Sequence, residues 1–111
     1  MNTSNMTKIQ FRPLGEVLEI IQQIGFDISY AYDDLLFSEH NVFIIRFDQS
    51  SNKKLWLYFN EDCDLVRRES IGNQLKNAYL SKKIEIHHGG LFSVQQIEGK
   101  EELELKFFEA V

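Results

Sequence analysis

The stretch between Asn41 and Asn60 has the pattern of a β-hairpin, and this hairpin constrains what the rest of the chain can form. Two runs rich in β-branched and aromatic residues, 42–47 and 55–59, flank a segment of polar turn formers. If Phe47 lies opposite Leu55, alternation makes both faces of the hairpin largely apolar. One face then belongs to the core beneath the helices. The other needs its own cover, whether a helix, a partner chain or a ligand.

This register assigns every hairpin side chain to a face. The face expected in the core carries Phe43, Ile45, Phe47, Leu55, Leu57 and Phe59. The second face carries Val42, Ile44, Arg46, Trp56 and Tyr58. On the second face, the Arg46 guanidinium is expected over the Trp56 indole in a cation–π contact. The sequence leaves open whether this face is core or interface.

Helical periodicity appears on both sides of the hairpin. Apolar residues recur at helical spacing over 13–24, with Pro13 expected at the first helical position and Gly25 just past the end. A second helix is expected over 64–82, with a break or bend near Ser70 where the apolar phase changes.

The remaining apolar runs predict further strands. They cover 35–39, 84–88, 91–98 and 102–108, with Gly89-Gly90 as a turn, while 27–34 fits a strand or a loop. The element order is α-βββ-α-βββ. Since short turns or a single helix join successive strands, the prediction is an α+β fold. It has two helices packed on a mostly antiparallel, five- or six-stranded sheet.

A chain of 111 residues forms one domain around one core, and residues 1–111 are expected to do so. Residues 1–7 are predicted to be a flexible tail and 8–12 an extended lead-in. The predicted core consists of Leu18, Ile21, Phe43, Ile45, Phe47, Leu55, Leu57, Phe59, Leu75, Leu103, Leu105 and Phe107.

Charge and composition restrict the function classes. Seventeen acidic and twelve basic residues give a net charge of −5, and the basic residues are scattered. Nucleic-acid binding needs a local cationic footprint, so it is not expected, and a basic protein partner fits better. No apolar run is long enough to span a membrane and no signal peptide is recognisable, so a cytoplasmic protein is expected. The single cysteine, Cys63, excludes an internal disulfide.

Three clusters contain residue types that occur in active sites. His87 and His88 are adjacent on a strand and point to opposite faces, so they cannot share one metal without other ligands. The carboxylates around Cys63 disfavour its thiolate, and helix capping explains them better. The acidic pair Asp33-Asp34 is typical of a solvated turn. We therefore predict no catalytic residue, no metal site and no cofactor.

The leading hypothesis is a protein-binding module without catalytic activity. Its most concrete form is an immunity- or antitoxin-like inhibitor of a basic toxin enzyme such as a nuclease, because charge complementarity speeds association. Trp, Tyr and Arg are the residue types enriched in binding hot spots. The predicted partner surface consists of Asp33, Asp34, Trp56, Tyr58, Glu61, Asp62 and Asp64.

Two alternatives remain, one within the binding proteins and one from another class. The order of elements and the acidic balance are similar to those of class I type III secretion chaperones, which are acidic homodimers, so a homodimer is one possibility. The other is a small enzyme or ligand-binding domain that uses His87, His88 and the acidic turns.

Overall fold

The computed structural model describes residues 13–99 and 101–110, so the predicted tail and lead-in lie outside the described residues. Two helices and one six-stranded sheet confirm the predicted α+β fold class. The elements are α1 Leu14–Gln23, β1 Ile28–Tyr32, β2 Leu35–Ser38, a 3-10 turn Glu39–Asn41, β3 Phe43–Phe47, β4 Lys54–Asn60, α2 Leu65–Leu80, β5 Glu85–Gln96 and β6 Leu103–Glu109. Neither described helix is long and apolar enough to cross a membrane.

The six strands lie side by side in the order in which they occur in the chain. Every neighbouring pair is antiparallel except β4 and β5, which are parallel because α2 returns the chain across the sheet between them. Four strands precede α2 and two follow it, whereas the sequence predicted three before and three after. Residues 28–32 form a strand, and the two strands predicted over 84–98 are the single strand β5.

The central hairpin has the predicted register. Phe47 lies opposite Leu55, and Phe43 lies opposite Phe59. The side chains assigned to the core face are buried beneath the helices together with Val17, Ile20, Ile21, Ile71, Leu75, Tyr79 and Ile84. Leu18 is only partly buried at the edge of this cluster. Val42, which was assigned to the second face, also packs in the helix-covered core, because it precedes β3.

The helix ends follow capping chemistry, with two corrections. Gly25, just past the end of α1, has a φ of 96°, as expected for a glycine at that position. Pro13 is the N-cap instead of the first helical residue. At α2, the Asp64 carboxylate accepts a hydrogen bond from the Arg67 backbone N–H at 2.9 Å. The predicted break or bend near Ser70 is not a break, because α2 runs without interruption from Leu65 to Leu80.

Gly89 and Gly90 do not form the predicted turn but lie inside β5. Leu57 is opposite His88 and Tyr58 is opposite Gly90, so Gly89 is the extra residue of a β-bulge. A Cβ on Gly89 would lie 2.6 Å from the Tyr58 ring. Glycine is therefore required here because a large aromatic ring covers the backbone.

The apolar side chains of β6 that were predicted to join the helix-covered core lie on the opposite side of the sheet. Leu105 and Phe107 pack around Ile44, Tyr58 and Phe92, away from the helices. Leu103 is 66% exposed, so its assignment to the core is wrong. The three residues share a face, as alternation requires, but it is the second face.

Candidate functional site

The second face of the sheet has a small buried centre and an open periphery. Ile44, Tyr58 and Phe92 are fully buried at its centre. Six partly buried side chains surround them: Leu35, Phe37, Trp56, Val94, Leu105 and Phe107. Neither described helix packs on this face. It is therefore core in the middle and an open apolar surface around it.

The sheet curls around this second face. Tyr30 and Tyr32 of β1 line the same cavity as Leu103 and Leu105 of β6, although β1 and β6 are opposite edges of the sheet. The cavity measures about 580 Å³ and is also lined by Leu35, Phe37, Asn41, Val94 and Glu101. We call this cavity the concave groove. Its volume lies in the range of ordinary ligand and peptide sites.

Two tyrosines form the most exposed wall of the concave groove. Tyr30 and Tyr32 are 57% and 63% exposed, and their rings stack with centroids 6.3 Å apart and an interplanar angle of 8°. Tyr30 also packs against Phe37 at 5.7 Å. Because they are two residues apart on a strand, both rings lie on one side of β1. Large aromatic side chains held rigid at a surface are typical anchors of binding interfaces.

A polar cluster lies beside the buried centre. The Tyr58 hydroxyl donates to Glu109, 2.8 Å from Oε2, and burial together with this hydrogen bond raises the pKa of Tyr58 to about 12. The Arg46 guanidinium lies 5.1 Å from the centre of the Tyr58 ring and 3.7 Å from Glu109 Oε1. The fully buried Tyr58 is therefore a structural anchor of the second face, although it was predicted to belong to the partner surface.

Trp56 lies at the margin of the same face and is only partly buried. Its Nε1–H donates to Asp48 Oδ1 at 2.9 Å, and this bond, with others from Ser50, holds the pKa of Asp48 well below its usual range. Lys54 Nζ lies 4.7 Å from the Trp56 ring. The predicted contact of Arg46 with Trp56 is thus replaced by two others, Lys54 on Trp56 and Arg46 on Tyr58.

Trp56 and the first acidic turn lie close together. Asp34, Arg46, Asp48 and Trp56 line a second cavity of about 490 Å³. Asp33 and Asp34 form the turn between β1 and β2, directly after Tyr32, and the Asp34 carbonyl accepts a hydrogen bond from the Phe47 N–H. This turn therefore joins the tyrosine wall of the concave groove to the Trp56 cavity.

The second acidic loop is at the opposite end of the sheet. Glu61, Asp62 and Asp64 follow the last residue of β4, whereas the Asp33-Asp34 turn lies near its first residue. The seven residues of β4 span about 20 Å at the rise of an extended strand. Asp64 is also engaged as the cap of α2. The two predicted acidic stretches therefore lie at opposite ends of β4.

The two histidines are neighbours in β5 and line one cavity, of which Cys63 is not a lining residue. The His87 ring lies 5.4 Å from the Trp56 ring and its Nε2 is 4.0 Å from Glu85, while His88 is exposed. Cys63 is half-buried, and its carbonyl accepts a hydrogen bond from Arg68 Nε. Within residues 13–99 and 101–110, no three His, Cys, Asp or Glu side chains are grouped so that they could hold a metal ion.

Sequence reasoning missed Tyr30, Tyr32 and Glu109 as parts of this site. The alternation of Ile28-Ser29-Tyr30-Ala31-Tyr32 already places both tyrosines on one side of a strand, so a signal for them existed. Glu109 has no such signal, because it lies 51 positions from Tyr58, whose hydroxyl donates a hydrogen bond to it.

Comparisons with known proteins provide no further identification. No family model matches the chain, and no curated protein or solved structure matches it either.

Proposed function

We propose that this chain is a cytoplasmic protein-binding module without catalytic activity. In its most concrete form it is an immunity- or antitoxin-like inhibitor that binds a basic toxin enzyme such as a nuclease. The observation that carries the proposal is an apolar groove on a sheet face that neither described helix covers, bordered by an acidic turn.

The apolar part supplies the contact area. Large contiguous apolar patches on soluble proteins often mark interaction sites. The concave groove combines three strongly exposed apolar or aromatic side chains, Tyr30, Tyr32 and Leu103, with partly buried neighbours. Its tyrosines are already stacked, so they lose little conformational freedom on binding.

The charged part favours a basic partner. Asp33, Asp34 and Asp48 lie at the Trp56 end of the second face, and Glu101 lines the concave groove. Asp48 stays ionised at any physiological pH because its carboxylate accepts hydrogen bonds from Trp56 and Ser50. A nuclease exposes cationic groups where it binds a phosphate backbone, and carboxylates placed there would block its substrate.

The proposed surface is narrower than the one expected from the sequence. It comprises the concave groove, the Asp33-Asp34 turn and the partly buried Trp56. Tyr58 supports this surface from below. The loop containing Glu61, Asp62 and Asp64 lies at the other end of β4, so it is the alternative surface.

The first test is capture of a partner, followed by an inhibition assay. Tagged protein is used to isolate a stoichiometric partner from cell lysate, and the enzymatic activity of that partner is measured free and in the complex. An inhibitor abolishes the activity. A partner that keeps full activity in the complex would contradict the inhibitory role.

Charge reversal then locates the surface. Asp33→Lys with Asp34→Lys should slow association by roughly tenfold or more at low salt and weaken its salt dependence, because steering by opposite charge is lost. Glu16→Lys with Glu19→Lys on the exposed side of α1 makes the same change in net charge and should slow association much less. Equal effects of the two double variants would show that only net charge matters.

Truncation of the aromatic side chains Trp56 and Tyr32 should change the dissociation rate of the complex more than its association rate. Trp56→Ala or Tyr32→Ala should mainly speed dissociation, since buried anchors determine how long a complex lasts. The same kinetic experiment, by surface plasmon resonance, reports both rates. Unchanged dissociation of both variants would move the interface to the loop at 61–64.

A further inference from the structure

The outer edge of β6 is long, regular and without a partner strand among the described residues. The strand has seven residues, contains no proline and pairs with β5 without a shift in register. At the other edge of the sheet, β1 has five residues and an irregularity between Ile28 and Tyr30. Short length and irregularities are devices that prevent edge pairing, and β6 lacks them.

The hydrogen bonds to β5 determine which backbone groups of β6 point outward. The Ala110 N–H donates to the Gly89 carbonyl at 2.8 Å, and the Ile97 N–H donates to the Glu102 carbonyl at 3.0 Å. In an antiparallel pair, hydrogen-bonded and non-hydrogen-bonded residues alternate. The even-numbered residues of β6 therefore bond to β5. The odd-numbered residues present their N–H and C=O groups to the open edge.

We infer that β6 pairs with β6 of a second copy of this chain, antiparallel, about a two-fold axis at Leu105. In this register Leu105 is opposite Leu105, and Leu103 is opposite Phe107 of the second copy. All of these residues have outward backbone groups, so each pair can exchange hydrogen bonds. Glu104 is then opposite Lys106 of the second copy, and the symmetry of the dimer makes this charge pair twice.

Charge selects this register over its neighbours. Because outward groups must meet outward groups, the strand can shift only so that odd-numbered residues remain opposite odd-numbered ones. An axis at Glu104 would place Glu104 opposite itself, and an axis at Lys106 would place Lys106 opposite itself. Like charges directly opposite each other destabilise a strand pair. Within Leu103–Glu109, the axis at Leu105 replaces both repulsions by two attractive pairs. The Glu101–Glu109 contact of this register and the Glu102–Lys106 contact of an axis at Glu104 each involve a residue that precedes the strand, so the selection rests on the residues within β6.

The pairing also covers apolar surface that the monomer exposes. Leu103 is 66% exposed, and Leu105 and Phe107 lie on the same side of β6. In the dimer, these residues from both copies form one continuous row on the concave side. The inference concerns the edge of the sheet and does not depend on the proposed inhibitory function.

The test is a charge swap monitored by the mass in solution. Sedimentation equilibrium of the whole chain should show a dimer at high protein concentration. Glu104→Lys alone and Lys106→Glu alone should each weaken the dimer by at least tenfold, because each creates two like-charge contacts. The double variant should restore it. A mixture of the two single variants should form a heterodimer, since one then carries only cations and the other only carboxylates at these positions.

Glu102→Lys is the matched control. It makes the same charge change as Glu104→Lys on the same side of the same strand end, but in this register Glu102 is opposite Phe108. It should therefore leave most of the dimer intact. Far-UV circular dichroism checks that every variant is folded, which is expected because all three side chains are exposed.

Hydrogen exchange provides a second measurement at single-residue level. In the dimer, the amides of Leu103, Leu105 and Phe107 should become protected as protein concentration rises. The amides of Glu104 and Lys106, already bonded to β5, should change little. A chain that remains monomeric at every concentration, or a dimer that neither single charge reversal weakens, would overturn the inference.

Discussion

Leu57 and Leu103 differ in environment although both lie on strands that alternate regularly. The Leu57 side chain is 5% exposed in the core beneath the helices, whereas that of Leu103 is 66% exposed at the mouth of the concave groove. We expect Leu57→Ala to lower the free energy of unfolding by about 2–5 kcal/mol, since it leaves a cavity in a packed core. Leu103→Ala, the matched control, should cost less than about 1 kcal/mol.

Urea denaturation followed by circular dichroism measures both variants. It should be carried out at a protein concentration at which the chain is monomeric, so that edge pairing does not contribute. Similar losses in the two variants would mean that the face assignment of one of these strands is wrong.

At this scale, sequence alternation predicts which residues share a face but not which face is covered. In the hairpin, the face that the helices cover is the more uniformly apolar of the two. For β6, both sides contain apolar residues, Leu105 and Phe107 on one and Phe108 on the other. Its orientation is determined by pairing with β5, where Phe92 faces Phe107. No local pattern reports that long-range pairing.

At the scale of elements, the bulge in β5 shapes the centre of the second face. Gly90 has a φ of 139°, and a Cβ there would collide with the Phe108 carbonyl oxygen on β6. Gly90→Ala should therefore destabilise the protein by at least about 1–3 kcal/mol, because the backbone is strained and β6 must move. Thermal or urea unfolding measures the loss.

Gly15→Ala is the control for Gly90→Ala, because it makes the same substitution at a glycine without steric restriction. Gly15 lies in α1, and an added Cβ meets nothing within 4 Å, so alanine should maintain or raise stability there. If Gly90→Ala were as stable as Gly15→Ala, the strand would not need glycine at the bulge. The Gly89-Gly90 pair was interpreted as a turn because glycine pairs usually mark turns. The Tyr58 ring that requires the first of them comes from another strand.

At the scale of the whole molecule, the sequence predicted a layer of helices on a sheet but not the curvature of that sheet. An α+β fold and two helices follow from periodicity, and the apolar pattern on both hairpin faces predicts a second apolar face without saying whether it is core or interface. The concave groove follows from neither pattern, because it exists only where the two edges of a curled sheet approach each other. The direction of β4 also places the two acidic stretches at its opposite ends, and the sequence alone does not report that distance.

The concave groove can be tested as a single site with Nile red, an uncharged dye that fluoresces in apolar surroundings. We expect the native protein to bind it, and both Tyr32→Ala and Leu103→Ala to weaken binding, because these side chains line one cavity. Although 71 positions separate the two residues in the sequence, their effects should be non-additive, since neighbours that share a binding site couple. Leu80→Ala removes an equally exposed leucine from α2 and should leave binding unchanged. The titration is best made in the Glu104→Lys background, where edge pairing is weakened. Additive effects, or equal loss in Leu80→Ala, would mean that β1 and β6 do not face each other across one groove.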